Sequence, residues 1–176
     1  MEKSEPIEAF GFFRIYFQRK KVSEKKEPVI SKKQCFFTTF FDDHLNYYKG
    51  DRSKYLEDKA QIFLNQKEGD VLVVGEQASS VFDVFKNQIH SRVVVAKPVG
   101  LSIAVLGEHN QLNASCALEA ARALGIGDEI SLRSLAEFKG VPGRLEFLRE
   151  ISGVKIYNDT TATTPEATIA ALRALG

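Results

Sequence analysis

Asp70-Val71-Leu72-Val73-Val74-Gly75 is the stretch on which the fold turns. Four apolar residues run without alternation between an acid and a glycine. A strand with one wet face alternates, whereas a strand covered on both faces does not. The stretch therefore predicts an inner strand with helices on either side. Upstream, residues 52–66 predict a helix, with Leu56, Ala60, Phe63 and Leu64 at i, i+4, i+7 and i+8. Residues 35–40 (CFFTTF) before it predict a buried strand. Downstream, residues 77–85 predict a helix, and residues 92–96 (RVVVA) and 102–106 (SIAVL) predict further strands. Residues 110–124 predict a helix with Leu112, Ala117, Ala121 and Leu124 on one face, and Gly125 stands where a C-terminal glycine cap belongs. Residues 128–138 predict another, with Ile130, Leu135 and Phe138 inward. Residues 145–150 and 154–157 predict strands around a Ser152-Gly153 turn. Thr164-Pro165-Glu166 opens a last helix, with Thr164 as N-cap and proline at the first helical position. Strands alternating with helices imply an α/β fold with a mainly parallel sheet.

The 176 residues suffice for one ordinary domain or parts of two, and 44% of them are hydrophobic. Lysine and arginine number 24 against 23 acids. That balance gives no nucleic-acid footprint, so no nucleic-acid partner is expected. The apolar run near the start is short and broken by Arg14, well under the roughly 20 residues a membrane span needs. Neither a membrane partner nor a signal peptide is expected. Cys35 and Cys116 have no metal or disulfide spacing, which suits reduced thiols in a cytoplasmic protein. Residues 1–34 stand apart, with Arg19-Lys20-Lys21, Lys25-Lys26 and Lys32-Lys33 and little periodicity. They read as a basic contact arm or, preferably, as a poorly ordered leader that adds little to the core.

Five places carry residues suited to chemistry. Asp42-Asp43-His44 lies at a predicted strand end, where open α/β sheets hold ligands. It reads as a metal-ligand group or as a plain surface cluster. Lys59 sits beside the apolar stripe of its helix, either solvated or made reactive by a burial-lowered pKa. Gly107-Glu108-His109-Asn110 with Asn113 opens a helix, whose free N–H groups suit anions. Asn110 and Asn113 share a face and could meet a base or phosphate, or Asn110 could simply cap the helix. Arg144 follows the turn Gly140-Val141-Pro142-Gly143, and its fork suits phosphate or carboxylate. Residues 158–163 (NDTTAT) join a strand to a helix, with hydroxyls and the single acid Asp159, as a nucleotide loop or a capping loop would.

In order and spacing these strings resemble the Mur ligases. Residues 38–46 (TTFFDDHLN) resemble the family's "TN…DHLD", and residues 55–63 (YLEDKAQIF) its "Y…AK..I" helix. Residues 107–113 (GEHNQLN) match "G.HN..N", and residues 138–146 (FKGVPGRLE) match "F.G.P.R.E". Residues 157–167 (YNDTTATTPEA) match "NDS.ATNP.A", in a form most like the D-glutamate-adding members. The likeness covers residues 34–176. It implies a cytoplasmic, monomeric, ATP- and Mg²⁺-dependent acid–amino-acid ligase of peptidoglycan synthesis. Such a ligase activates the carboxylate of UDP-N-acetylmuramoyl-L-alanine as an acyl phosphate for attack by D-glutamate. By resemblance, His44 is a Mg²⁺ ligand and Lys59 becomes a carbamate on a second Mg²⁺, both serving catalysis. Asn110 and Asn113 face the nucleotide, Arg144 touches its phosphates, and Asp159 lies near ribose or phosphate.

The resemblance also divides the chain. Residues 1–34 are the leader, residues 35–149 part of the central ATPase domain, and residues 150–176 the start of the Rossmann-like C-terminal domain. Three features depart from the pattern. Gly143 stands where many relatives have histidine, and Thr161 where lysine is common. No G-x-x-G-K-[ST] P-loop occurs in these 176 residues, so the chain alone is expected to be inactive. Other readings remain open: a different Mur ligase, a folylpolyglutamate synthase-like ligase, or a non-catalytic pseudo-enzyme.

Overall fold

A computed structural model describes residues 34–43 and 45–176. The leader and His44 fall outside the described residues, apart from Gln34. Three strands form a parallel sheet in the order β1-β2-β3: β1 Gln34–Phe37, β2 Val71–Gly75 and β3 Arg92–Ala96. Gln34 lies opposite Val71, and Val71 opposite Arg92. All five residues of β2 are buried, as its unbroken apolar run requires.

Side chains alternate along a strand, so β2 feeds two cores. Leu72 and Val74 face an aromatic layer of Phe37, Phe40, Tyr55, Phe63, Phe82 and Phe85. Val71 and Val73 face Ala96, Leu112 and Cys116. The aromatic layer is packed by helix α1 (Arg52–Leu64) and a 3-10 segment, Glu76–Phe85. Its rings meet at 4.7 Å (Phe63–Phe82) and 5.3 Å (Phe37–Phe82, at 90°), within the range where aromatic pairs attract. Asp51 caps α1, accepting from the N–H groups of Ser53 and Lys54 at 3.1 Å.

Helix α2 (Glu108–Ala123) covers the other face. Gln34 Nε2 donates to the Ala123 carbonyl, so the end of α2 lies beside the start of β1. The helix thus runs antiparallel to the strands, and its first turn stands at the sheet's C-terminal edge. Its end is a Schellman motif: Ile126 N–H bonds Ala121 O at 2.9 Å and Gly125 N–H bonds Arg122 O at 3.0 Å, with Gly125 at φ +76°. Helix α3 (Asp128–Glu137) follows. Then β4 (Glu146–Ile151) and β5 (Val154–Asn158) form an antiparallel hairpin, closed by Ser152 and Gly153 at φ +50° and +81°. Those angles are the type I′ pair that matches strand twist. Helix α4 (Pro165–Leu175) starts as the sequence predicts, with Thr164 Oγ1 accepting from Ala167 N–H.

Three sequence expectations are corrected. Residues 102–106 form no strand. Among the described residues no strand beyond β3 offers them a ladder, and the Gln111 amide engages both backbone groups of neighbouring Leu101, at 2.7 and 2.9 Å. The 77–85 helix is of the tighter 3-10 kind. Ile130 of α3 and Phe138 just after it are 54% and 39% exposed, whereas Ser131 is the buried residue. Ser131 and the half-buried Leu135, one turn apart, form the inner stripe of α3, which is in contact with α2.

Candidate functional site

Parallel strands bring their C-terminal ends to one edge; β1 runs on toward Asp42 there, and the first turn of α2 with Asn110 stands at the same edge. At the end of β1, Arg52 Nε donates to Asp42 Oδ1, and its guanidinium lies 4.7 Å from the Phe40 ring centre. A side-chain clamp fixes this chain end. Gln77 accepts from Phe40 N–H at 2.9 Å and donates to Phe40 O at 3.1 Å, copying a strand neighbour. Gly75 lies so close to this segment that a Cβ would run into the Thr38 carbonyl. Nothing but glycine fits there.

Lys59 lies half-buried on α1, its Nζ 5.2 Å from the centre of the Tyr55 ring. Burial pulls its pKa below the usual lysine value, and the nearby Asp43 carboxylate partly opposes the shift. A larger neutral-amine fraction is the state in which lysine acts as a nucleophile. Among the described residues no three His, Cys, Asp or Glu side chains converge as a metal cage. The pairing of Lys59 with His44 lies outside the description.

The start of α2 differs from one sequence reading. Gly107, at φ +97°, is the N-cap, not Asn110. Asn110 is in the first turn, donating from Nδ2 to Leu106 O at 2.7 Å, while its Oδ1 accepts from Asn113 Nδ2 at 3.4 Å. The two amides therefore stand together on one face, as their spacing predicts. His109, the residue before Asn110, is exposed, with one side of its ring lying against Gly107. Burial of that side lowers its pKa and the charge of Asp159 opposes that shift. A Cβ on Gly107 would meet the His109 ring and, at 3.0 Å, Ala174 of α4. The close approach of α4 to this turn thus needs glycine. Sequence reasoning passed over His109, although the string GEHN held the signal.

Arg144 is exposed on a turn between Gly143 (φ +77°) and Leu145 (φ +46°). A left-handed leucine costs about 1–2 kcal/mol, so its surroundings must hold it. Asp159 Oδ1 accepts the Leu145 N–H at 3.0 Å. Thr161 donates to Gly143 O twice, from N–H at 3.1 Å and Oγ1 at 2.9 Å. Glu146 Oε2 accepts from Gly143 N–H at 2.8 Å and from Asn158 Nδ2 at 3.2 Å. Strings that lie apart in sequence, 140–146 and 158–161, are therefore one bonded unit. The two departures at Gly143 and Thr161 meet within that unit.

Three matched proteins are each named UDP-N-acetylmuramoylalanine--D-glutamate ligase. The one from Desulfovibrio desulfuricans is 36% identical over 134 residues, covering 75% of this chain and 30% of the relative. That from Aquifex aeolicus is 33% identical over 153 residues, covering 78% and 36%. That from Latilactobacillus sakei is 30% identical over 167 residues, covering 82% and 36%. This is Mur ligase sequence, most like that of the D-glutamate-adding members. It spans about a third of the length of those curated relatives. Among solved structures, MurF from Acinetobacter baumannii shares the fold, with a TM-score of 0.68 at 20% identity over 81% of this chain and 37% of that one. No protein-family model matches the chain. The Mur ligase likeness suits the mixed α/β architecture with its parallel sheet and flanking helices.

Proposed function

We propose that this chain supplies the sheet-edge half of the nucleotide site of an ATP-dependent Mur ligase that adds D-glutamate to UDP-N-acetylmuramoyl-L-alanine in the cytoplasm. What supports this reading is that Asn110 and Asn113 share one face at the start of α2, that Asp159 and the Arg144 turn form one bonded unit, and that α4, which follows that unit, lies against Gly107 at the α2 start. In this reading Asn110 and Asn113 meet the base, and Arg144 draws phosphate charge with its exposed guanidinium. Asp159 keeps its second oxygen for a ribose or metal-linked phosphate. The central domain covers residues 35–149 and gives way to the C-terminal domain within β4.

ATP and Mg²⁺ are the implied cofactors, and Mg²⁺ supplies charge neutralisation on the phosphates when bound. The donor set fits in one respect: a half-buried lysine of lowered pKa can exist as the neutral amine that takes up carbon dioxide, and the resulting carbamate is a hard oxygen donor. His44 would be the second protein donor. Lys59 would thus hold the metal side of the site and Arg144 the phosphate side.

The residues 1–176 do not carry out ligation alone in this reading, because no P-loop is present to grip the β- and γ-phosphates. The test supplies the chain with ATP, Mg²⁺, UDP-N-acetylmuramoyl-L-alanine and D-glutamate, and measures Mg·ADP binding alongside phosphate release. Weak nucleotide binding without turnover is expected. Turnover at roughly 1 s⁻¹ or more overturns the inactivity, and no nucleotide binding at millimolar concentration overturns the nucleotide site.

A further inference from the structure

The turn that carries Arg144 is exposed, begins after a proline and contains two left-handed residues. Left to itself such a turn samples many conformations, and an arginine on it points nowhere in particular. Glu146 removes that freedom. It stands on β4, a strand held by its ladder to β5, with Glu146 opposite Asn158. Its Oε2 reaches back to the Gly143 N–H at 2.8 Å and across to the Asn158 side-chain amide at 3.2 Å. One carboxylate oxygen therefore ties the residue before Arg144 to the residue before Asp159. A carboxylate that accepts N–H bonds makes stronger bonds than a neutral acceptor. Thr161 on Gly143 O and Asp159 on Leu145 N–H close the same unit from the other loop.

We propose that Glu146 is a positioning residue: it locks the Arg144 turn to the 158–161 loop, so that Arg144 is held toward an anionic ligand and Asp159 toward that ligand's hydroxyl or bound cation, as one rigid unit. The nature of that ligand, a nucleotide phosphate, rests on the function proposed above. The lock itself does not.

The experiment uses the full 176-residue chain, labelled with ¹⁵N, as parent, Glu146→Ala, Glu146→Gln, Arg144→Ala and the double variant Glu146→Ala/Arg144→Ala. Amide exchange at Gly143 and Leu145 is read first. Glu146→Ala is expected to speed exchange at both by about tenfold or more, because a local opening loses its charge-assisted bond. Glu146→Gln keeps an oxygen acceptor and is expected to recover most of the protection. Mg·ADP binding is read second. Glu146→Ala is expected to weaken it by about the same factor as Arg144→Ala, and the double variant is expected to be no weaker than Arg144→Ala alone. That non-additivity marks residues acting as a unit, and loss of fold would not produce it. Unchanged exchange in Glu146→Ala overturns the lock. Faster exchange with unchanged Mg·ADP affinity overturns the positioning role. If the parent binds no Mg·ADP, the nucleotide reading falls, and exchange at Gly143 alone decides whether Glu146 holds the turn.

Discussion

Residues 34–123 and residues 124–176 are held together by different physics. In the first region the sheet is sandwiched, and rings from β1, α1 and the 3-10 segment fill one face while α2 seals the other. In the second, among the described residues, Ser131, Gly143 and Ala171 alone are buried. Phe147, Leu148, Ile151, Val154, Ile169 and Leu172 stand 46–65% exposed. What orders that region is polar: the Glu146, Asp159 and Thr161 bonds, the hairpin ladder and the Thr164 cap. Burial scales with area and tolerates small shifts, whereas hydrogen bonds fix geometry to tenths of an ångström. The first region supplies stability and the second supplies placement.

The largest effect that separates the regions is a lost core ring. Phe63→Ala is expected to cost about 3–5 kcal/mol of unfolding free energy in urea titration, because Phe63 is fully buried against Phe37, Phe82 and Phe85. Phe147→Ala, at a ring 53% exposed and touching Tyr157, is expected to cost under about 1 kcal/mol. Equal costs would erase the contrast.

A middle-sized effect tests the polar seam inside the first region. Gln66 is buried, donating to Val71 O at 3.0 Å and accepting from Ser91 Oγ at 2.9 Å. Gln66→Ala orphans both groups and is expected to cost about 1–3 kcal/mol by thermal unfolding. Gln66→Glu is expected to fare no better, because a carboxylate cannot donate to Val71 O. A neutral result for Gln66→Ala would show that water replaces both bonds.

The smallest effect is electrostatic and has one example in each region. N–H bonding from Lys54, then the Lys54 charge and the Ser53 N–H, hold Asp51 below the usual carboxylate range. The hydrogen-bonded Arg122 guanidinium does the same for Asp128, from Nε at 2.8 Å and Nη2 at 2.6 Å. A depressed folded pKa adds stability that is complete above the unfolded value of about 3.9 and is lost as pH falls through the folded value. The parent should therefore lose stability below about pH 4, and Asp51→Ala and Asp128→Asn should each flatten that acid limb in urea midpoints measured from pH 5 downward. Both groups are exposed, so the slopes should be shallow, and salt should weaken the Asp128 contribution more. An acid limb identical in both variants would remove these carboxylates from the account.

The sequence by itself determined whatever depends on neighbours along the chain. The unbroken run of β2, the 3.6-residue stripe of α1, the Gly125 stop of α2, the Ser152-Gly153 turn and the Thr164-Pro165 start are local chemistry, legible from spacing and side-chain type. It also placed the candidate residues in strings that match a family, and Lys59, Asn110, Asn113, Arg144 and Asp159 all stand within them. Only tertiary structure decided what depends on partners distant in sequence. Residues 102–106 look like a strand, but a strand needs a neighbour's backbone, and Leu101 next to them receives a glutamine side chain instead. Ile130 and Phe138 look like core, but a helix buries the face its neighbours cover, and here that face carries Ser131. Asn110 looks like a cap, but the close approach of α4 requires Gly107 there. Glu146 looks like any exposed strand acid, yet its oxygen lies between Gly143 and Asn158 only because β4 and β5 fold back on each other. Periodicity reports which side of an element is apolar; only packing decides what that side meets, because the partner's position is set by the whole chain at once.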